Sequence, residues 1–358
     1  MLSKIIQKCL YSLLTLLGVV TVVFFLFNVL PGDPAKMMLG QNQNAEQIAA
    51  VKKKYGFDQP LAKQYFYYLN DLSPLSFHSN NTNDYTFLEP SKYSYLSVFK
   101  TGKISTVIKW PYLRESFTKQ GKKVSQVIAE TLPNTVVLAV SAIAIAIALG
   151  MVLGVVSALN KDSVIDKLIQ VVSTIGMSVP SFFSAILFAW LFGFILHDYT
   201  NLQMTGSLYE LDDFGESYKI QLKNLILPAL VLGIRPLAVV IQLMRNSLLE
   251  VLNQDYIRTA RAKGLNQFQV VKNHALKNAL NPVVTAISGW FASMLAGAVF
   301  VEYVFGWNGL GKEIVNALNT LDLPVIMGAV LIIALIFITI NILVDLIYGW
   351  LDPRVTSV

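Results

Sequence analysis

Charge is scarce in this sequence, and reactive side chains are scarcer still. Of 358 residues only 14% are Asp, Glu, Lys or Arg, against roughly 25% in soluble globular proteins, and the mean hydropathy is +0.54. A disordered chain and an ordinary soluble enzyme are both excluded. A single cysteine, Cys9, cannot close an intrachain disulfide or build a thiolate cluster, and the three histidines, His78, His197 and His274, lie too far apart for a local metal-ligand spacing. The apolar runs carry no series of Asp, Glu or His of the kind a proton relay needs, and no Ser/His/Asp set is arranged for catalysis. We therefore expect neither a catalytic residue nor a metal ligand in this chain.

What the sequence does have is long runs without charge. A bilayer core about 30 Å thick needs roughly 20 apolar residues in a helix. Cys9–Leu30, Asn134–Asn160, Leu168–Leu196, Asn278–Val301 and Leu323–Val344 contain no Asp, Glu, Lys or Arg, and Asn224–Met244 is broken only by Arg235. Six membrane helices follow as the expectation. The first run is long for the core of a signal peptide, and Pro31-Gly32-Asp33-Pro34 after it is no small-residue cleavage site, so it reads as a retained span.

Short loops set orientation, because Lys and Arg beside helix ends resist translocation. One side holds eleven such residues: Lys4, Lys8, Lys161, Lys167, Arg245, Arg258, Arg261, Lys263, Lys272, Lys277 and Arg354. The opposite short loops hold only Lys219, Lys223 and Lys312, so both termini are expected in the cytoplasm. Four regions result: 1–30 with the first span, an extracytoplasmic region 31–133, spans two to six over 134–351 with a cytoplasmic loop 246–281, and a tail 352–358. Within the external region, Ile48, Val51, Tyr55 and Tyr65, Phe66, Leu69 predict two short helices around a turn at Asp58-Gln59-Pro60. Ser73 to Trp110 shows no clear period and reads as an irregular, partly ordered insertion. Asn80-Asn81-Thr82 fits a glycosylation acceptor, a three-residue match with little weight.

Several motifs have bland readings beside functional ones. GWNGLGKE, Gly306 to Glu313, fits all but the last position of the phosphate-binding loop GxxxxGK[ST], yet Glu313 replaces the magnesium-binding hydroxyl and no strand precedes it. A turn before a short helix is the better reading. Gly150 and Gly154 form a GxxxG that lets helix backbones approach, with a partner the sequence does not name. Pro180 and Pro228 predict kinks or helix starts. Arg235, near the middle of the fourth span, costs ~2.5–3.5 kcal/mol on insertion scales. It either faces a water-filled translocation pathway or snorkels where Gly233 and Pro236 loosen the helix. In the cytoplasmic loop, Leu248, Leu249, Leu252, Tyr256, Ala260, Leu265 and Phe268 recur near helical spacing, with Arg258, Arg261 and Lys263 interleaved and Gly264 as a helix stop. Such an element is a docking helix or a basic helix lying on anionic lipid.

At these residues the sequence resembles a family. DYIRTARAKGLNQFQVVKNHALKNALNPVVT, Asp255 to Thr285, is similar to the EAA loop of ABC importer permeases, with Ala260, Gly264 and Leu276 on the general pattern and the YIRTARAKG and HALKNAL strings matching the oligopeptide/dipeptide and nickel branch, first membrane subunit. Further matches are Pro31-Gly32-Asp33-Pro34, Tyr55 to Leu61, Ala129 to Thr135, Gly309-Leu310-Gly311 and Asp352-Pro353-Arg354; about Pro74 to Trp110 is not covered. The resemblance implies an all-α polytopic membrane protein of the type I ABC importer permease fold, with a long extracytoplasmic insertion between helices one and two. It implies uptake of short peptides by alternating access in a bacterial cell membrane, with nickel or another peptide-like solute as the alternative. It also implies a homologous second permease, two cytosolic ABC ATPases that hold ATP and Mg, an extracytoplasmic substrate-binding protein and membrane lipid as partners, with no nucleic acid and no cofactor on this chain. Tyr256, Arg258, Thr259, Ala260, Arg261, Ala262, Lys263, Gly264 and Leu265 would form the coupling helix against an ATPase. The uncovered external segment would touch the binding protein or cover the outer gate, or be a tolerated surface insertion. An ATP-independent secondary transporter is the competing class, against which the docking loop and the missing acidic relay both stand.

Overall fold

The computed structural model describes residues 2–29, 34–39, 44–82, 84–90, 92–119, 121–212 and 214–351. The Pro31-Gly32-Asp33 and Asp352-Pro353-Arg354 matches lie outside them. The chain divides into two compact units, Met1–Glu130 with Ile314–Ala334, and Thr131–Glu313 with Leu335–Val358.

The first unit begins with α1 (Leu2–Val29), α2 (Pro34–Leu39), α3 (Ala45–Tyr55) and α4 (Leu61–Leu72). The two-helix expectation for residues 46–72 holds. Asn44 caps α3 by accepting from the Glu46 N–H at 3.2 Å, Gly56 ends it at φ +72°, and Pro60 supplies the fixed φ from which α4 starts. α4 packs on α1 through aromatic rings, Phe24 lying 5.2 Å from Tyr65 and 5.6 Å from Tyr68.

The described residues of Ser73 to Trp110 contain a β-sheet, which corrects both the irregular reading and the all-α class. β1 (Leu75–Ser79), β2 (Tyr95–Lys100) and β3 (Ile104–Lys109) form an antiparallel sheet in the order β1-β3-β2. Leu75 pairs with Ile108 and Ile108 with Leu96; a bulge between Ser97 and Phe99 then sets Phe99 opposite Thr106, which also faces Phe77. The period-two signal was present in Leu75-Ser76-Phe77-His78 and in Ile104 to Lys109. It escaped notice because the bulge breaks it in β2, and because polar residues occupy the buried face.

That buried face is held by Asp71, the last acidic residue of α4. Its carboxylate accepts from Arg114 Nε at 3.0 Å and from the Tyr93 hydroxyl at 2.9 Å, while its carbonyl accepts from Lys109 Nζ. His78 sits against the Tyr93 ring and hydrogen-bonds the Thr86 carbonyl at 3.1 Å and Ser76 at 3.0 Å. Every one of these polar groups has a partner, the condition on which such a core is stable. Burial pushes Lys109 down to about 8 and lowers His78, and it pushes Tyr93 and Tyr112 well above the ordinary phenol range. In this unit Asp322, ahead of α15, also accepts from the N–H groups of Phe117 and Thr118 at 3.0 and 3.2 Å.

The second unit contains the rest. α5 (Val124–Leu159) enters it from the first unit, followed by α6 (Val164–Ser178) and α7 (Ser181–Trp190), the last extended by a π-helical turn Leu191–Ile195. Then come α8 (His197–Thr200), the hairpin β4 (Tyr209–Leu211) and β5 (Tyr218–Ile220), and α9 (Lys223–Leu252). α10 (Asp255–Ala262), α11 (Gln267–Val270), a π-turn Val271–Ala275 and α12 (Leu276–Ala279) lead to α13 (Asn281–Phe305), α14 (Leu310–Thr320) and α15 (Leu323–Leu351). Pro180 breaks the third charge-free run into α6 and α7, bent by 111°, while Pro228 and Pro236 stay inside α9.

Among the described residues four helices, α1, α5, α9 and α15, are long and apolar enough to cross a membrane, five if the bent α6–α7 pair is one span. The run 278–301 falls mostly in α13, a helix of 25 residues. The GxxxG of α5 has its partner in α9. A Cβ on Gly150 would lie 2.7 Å from Val240, one on Gly154 would lie 2.6 Å from Met244, and one on Gly233 of α9 would lie 2.9 Å from the Ala142 carbonyl. Small residues on both helices thus bring the two backbones together, and the increasing register places them parallel.

Unfolding frees Lys109 to hold its proton up to the ordinary lysine range, whereas the folded chain releases it near 8. Stability of the sheet unit should therefore rise by on the order of 1–2 kcal/mol from pH 8 to 9.5, before unfolded tyrosines begin to ionise and oppose it. Hydrogen exchange of residues 75–79 and 104–109, corrected for intrinsic rates, measures this. Lys109→Met should abolish the slope.

Candidate functional site: a basic helix carried on α9

α9 runs past the end of its charge-free stretch to Leu252, and the chain then turns through Asn253 and Gln254 into α10. Only one face of α10 can be apolar in so basic a segment. Ile257 and Ala260 supply it, buried against Met244 and Leu248 of α9 and against Val270, Ala275 and Ala279. The opposite face carries Tyr256, Arg258, Thr259, Arg261, Ala262 and Lys263, all exposed, and Arg258 reaches back to Asp255 at 3.2 Å. Gly264 follows at φ +83°, a conformation in which an added side chain strains the backbone although nothing crowds the position.

The residues expected to form a coupling surface therefore come together, with two exceptions in kind. Ala260 points into the core and Leu265 is half-buried, so both anchor the helix instead of facing outward. Ile257, which sequence reasoning left out, is the main anchor. Asn278 of α12 donates to the Tyr256 hydroxyl at 2.8 Å, and Asn266 and Gln269 form a reciprocal capping box that starts α11. The helical periodicity of Ile257 with Ala260 held that signal, hidden by the charges between them.

A buried ion pair fixes the base of this element. Asp166, near the start of α6, accepts from Arg245 Nε at 2.7 Å and Nη2 at 2.6 Å, a two-point contact between the α5–α6 turn and α9. Its remaining positions are filled by the Ser157 hydroxyl and by the Asp162 N–H at 2.9 Å. Asp162 itself adopts φ +64°, a turn conformation that the carboxylate helps to hold.

Arg235 stands higher on α9. It is exposed, forms no hydrogen bond or ion pair with another described residue, and lines a cavity of about 80 Å³ with Ser181, Ser184, Trp290 and Ser293. The resemblance to a phosphate-binding loop ends here too. Gly306 closes α13 at φ +68°, and α14 begins at Leu310 with its first N–H groups capped from outside, Leu310 by Thr135 Oγ1 at 2.8 Å and Lys312 by Glu302 at 3.0 Å. A Cβ on Gly309 would lie 2.4 Å from the Glu302 carboxylate, so the glycines make room for a buried acid where a phosphate would sit. Glu302 is a second residue missed in the sequence, and only the spacing Gly309-Leu310-Gly311 hinted at a close approach.

Two family models match the chain: "Binding-protein-dependent transport system inner membrane component" over residues 146–357 and its N-terminal counterpart over 1–83. Among curated relatives, the dipeptide transport system permease of Alkalihalophilus pseudofirmus is 32% identical across 99% of both chains. A putative peptide permease of Brucella suis is 35% identical across 99% of both, and a probable D,D-dipeptide transport system permease of Escherichia coli is 31% identical across 98% of this chain and 96% of that one. A solved inward-facing methionine ABC transporter aligns at 16% identity over 64% of this chain and 97% of its own, with a TM-score of 0.48.

Arg245→Met should destabilise the detergent-purified chain by ~3–5 kcal/mol, because it strands a buried carboxylate, while Asp166→Asn with Arg245→Met should cost less than the sum of the two single changes. Thermal unfolding of the three variants measures the coupling.

The family matches, spread over nearly the whole chain, establish it as an integral membrane permease of the binding-protein-dependent ABC importers, in the branch whose named relatives are peptide permeases.

Proposed function

We propose that this chain is one of two membrane subunits of an ATP-driven importer of short peptides. In this reading an extracytoplasmic protein delivers the peptide, two cytosolic ATPases dock below, and α10 is the contact between them and the membrane helices. The observation that carries it is the form of α10. It is a short basic helix whose apolar side is anchored on a membrane helix, whose outer side presents Tyr256, Arg258, Arg261 and Lys263, and whose end is set by Gly264.

Such a helix can transmit force only if it moves rigidly with α9. Ile257 and Ala260 fix it to Met244 and Leu248, and the Asp166–Arg245 pair ties the same stretch of α9 to α6. ATP-driven closure of the ATPases would then tilt α9 and α6 together and open the cavity alternately to either side. ATP and Mg belong to the ATPases in this scheme; this chain contributes the lever and the path.

Arg235 is the polar marker of that path. A guanidinium in the middle of a membrane helix, without a carboxylate partner and beside serine hydroxyls, suits the C-terminal carboxylate of a passing peptide.

Gly264→Val should lower ATP-dependent peptide uptake at least tenfold in proteoliposomes of the full complex while ATP hydrolysis continues; coupled uptake at the normal rate would contradict the role of α10. Arg235→Ala should slow uptake of free-acid dipeptides about tenfold and leave C-terminally amidated dipeptides nearly unchanged, and equal effects on both would remove Arg235 from the path.

A further inference from the structure

The three-stranded sheet of the first unit is amphipathic the wrong way round for a solvated surface. Residues on a strand alternate between faces, so one register assigns every side chain. The face packed inward carries Ser76, His78, Ser105 and Lys109 with Val107, all buried. The open face carries the cross-strand rows Leu75–Ile108–Leu96 and Phe77–Thr106–Phe99. Leu96 is 76% exposed, Phe99 66% and Phe77 59%, and Trp110 just beyond β3 is 80% exposed. Contiguous apolar exposure on this scale marks a surface that something apolar covers.

The covering phase is indicated by where the sheet is tethered. Tyr65 of α4 donates to or accepts from Thr21 Oγ1 of α1 at 2.6 Å and stacks beside Phe24 and Phe25. Thr21 lies six residues before Phe27, the end of the apolar window of α1, or ~9 Å inside it at 1.5 Å per residue. α4 therefore meets α1 within the apolar window of that helix. Two residues beyond the Tyr68 ring that meets Phe24, Asn70 holds the backbone of Phe77 by paired bonds, Nδ2 to the Phe77 carbonyl and the Phe77 N–H to Oδ1, both 2.9 Å. The apolar face thus begins three contacts from the membrane helix.

Its rim has matching chemistry. The β2–β3 turn, Lys100-Thr101-Gly102-Lys103, places two exposed lysines beside Phe99 and Ile104. At the other end Tyr95, Trp110 and Pro111 border a groove that also takes in Pro74, Leu96 and Ile108. Aromatic rings at one end and lysines at the other are what an element lying in the headgroup layer presents, with the rings at the acyl boundary and the ammonium groups at phosphates.

We propose that the open face of the β1-β3-β2 sheet rests in the outer leaflet of the membrane, with Leu75, Phe77, Leu96, Phe99 and Ile108 at the acyl boundary and Lys100 and Lys103 on anionic headgroups. This placement keeps the external unit flat beside its own membrane helix and leaves its other surfaces for protein partners. It rests on the external sidedness of residues 31–133 given above.

The test uses the full chain with Cys9→Ser, labelled with a fluorophore at Thr106→Cys in the centre of the face, at Phe77→Cys as a second site, or at Gln47→Cys on α3 as a control. In liposomes containing phosphatidylglycerol and lipids bearing nitroxides on the upper acyl chain, the labels at 106 and 77 should be quenched at least twice as strongly as that at 47. Lys100→Glu with Lys103→Glu should halve this excess in phosphatidylglycerol vesicles and leave it unchanged in pure phosphatidylcholine. Equal quenching at all three sites overturns the inference, as does shielding of site 106 that arises only when the substrate-binding protein or the second permease is added. An impermeant maleimide applied to intact cells should reach Gln47→Cys. If it does not, the sidedness fails, a result distinct from failure of lipid contact.

Discussion

The close contact of α5 with α9 is the constraint on which the membrane unit depends. Lipid gives no hydrophobic reward for helix association, so the helices must gain by approach, and Gly150, Gly154 and Gly233 remove the side chains that would keep the backbones apart. With α9 held in place along its length, its extension into α10 has a fixed direction. The Asp166–Arg245 pair adds α6 to the same body, and α10 is carried on the end of it through Ile257 and Ala260. The arrangement lets a displacement at α10 act on several membrane helices at once.

The turn between α13 and α14 is organised by a different device. Helix N-termini need acceptors, and α14 receives them from Glu302 and Thr135, residues on two other helices. Trp307, fully buried, donates to the Asn134 carbonyl at 3.0 Å, and Asn134 in turn donates to the Asn308 carbonyl at 2.8 Å. Asn134, Thr135, Trp307 and Glu302 Oε2 each have a named partner in this cluster, whereas the buried Glu302 Oε1 has none among the described residues. The loop that looks like a nucleotide site is thus a knot of side-chain caps.

What the sequence disclosed follows from the range of the interactions involved. Pro60, Gly56 and the apolar spacing of α3 and α4 are local, and the two-helix expectation held. Gly264 likewise declared its own left-handed turn. Pro180 announced the break between α6 and α7, although its size, 111°, is a matter of packing. By contrast, the partner of the GxxxG and the carboxylate that pairs with Arg245 lie tens of residues away in the chain, and the acid behind Gly309 and Gly311 lies on the preceding helix, across the turn at Gly306. The sheet was hidden for another reason: the usual rule puts apolar residues inside, and here the buried side is the polar one, paired through Asp71, Arg114 and Tyr93.

The account stands or falls on whether this chain works as the membrane part of an ATP-driven complex. The most direct measurement is to purify it from native membranes in mild detergent, identify the proteins that accompany it and assay ATP hydrolysis. A second homologous permease and ATPase subunits with vanadate-sensitive hydrolysis are the predicted result. A chain that purifies alone and moves peptide across liposomes without ATP would contradict it.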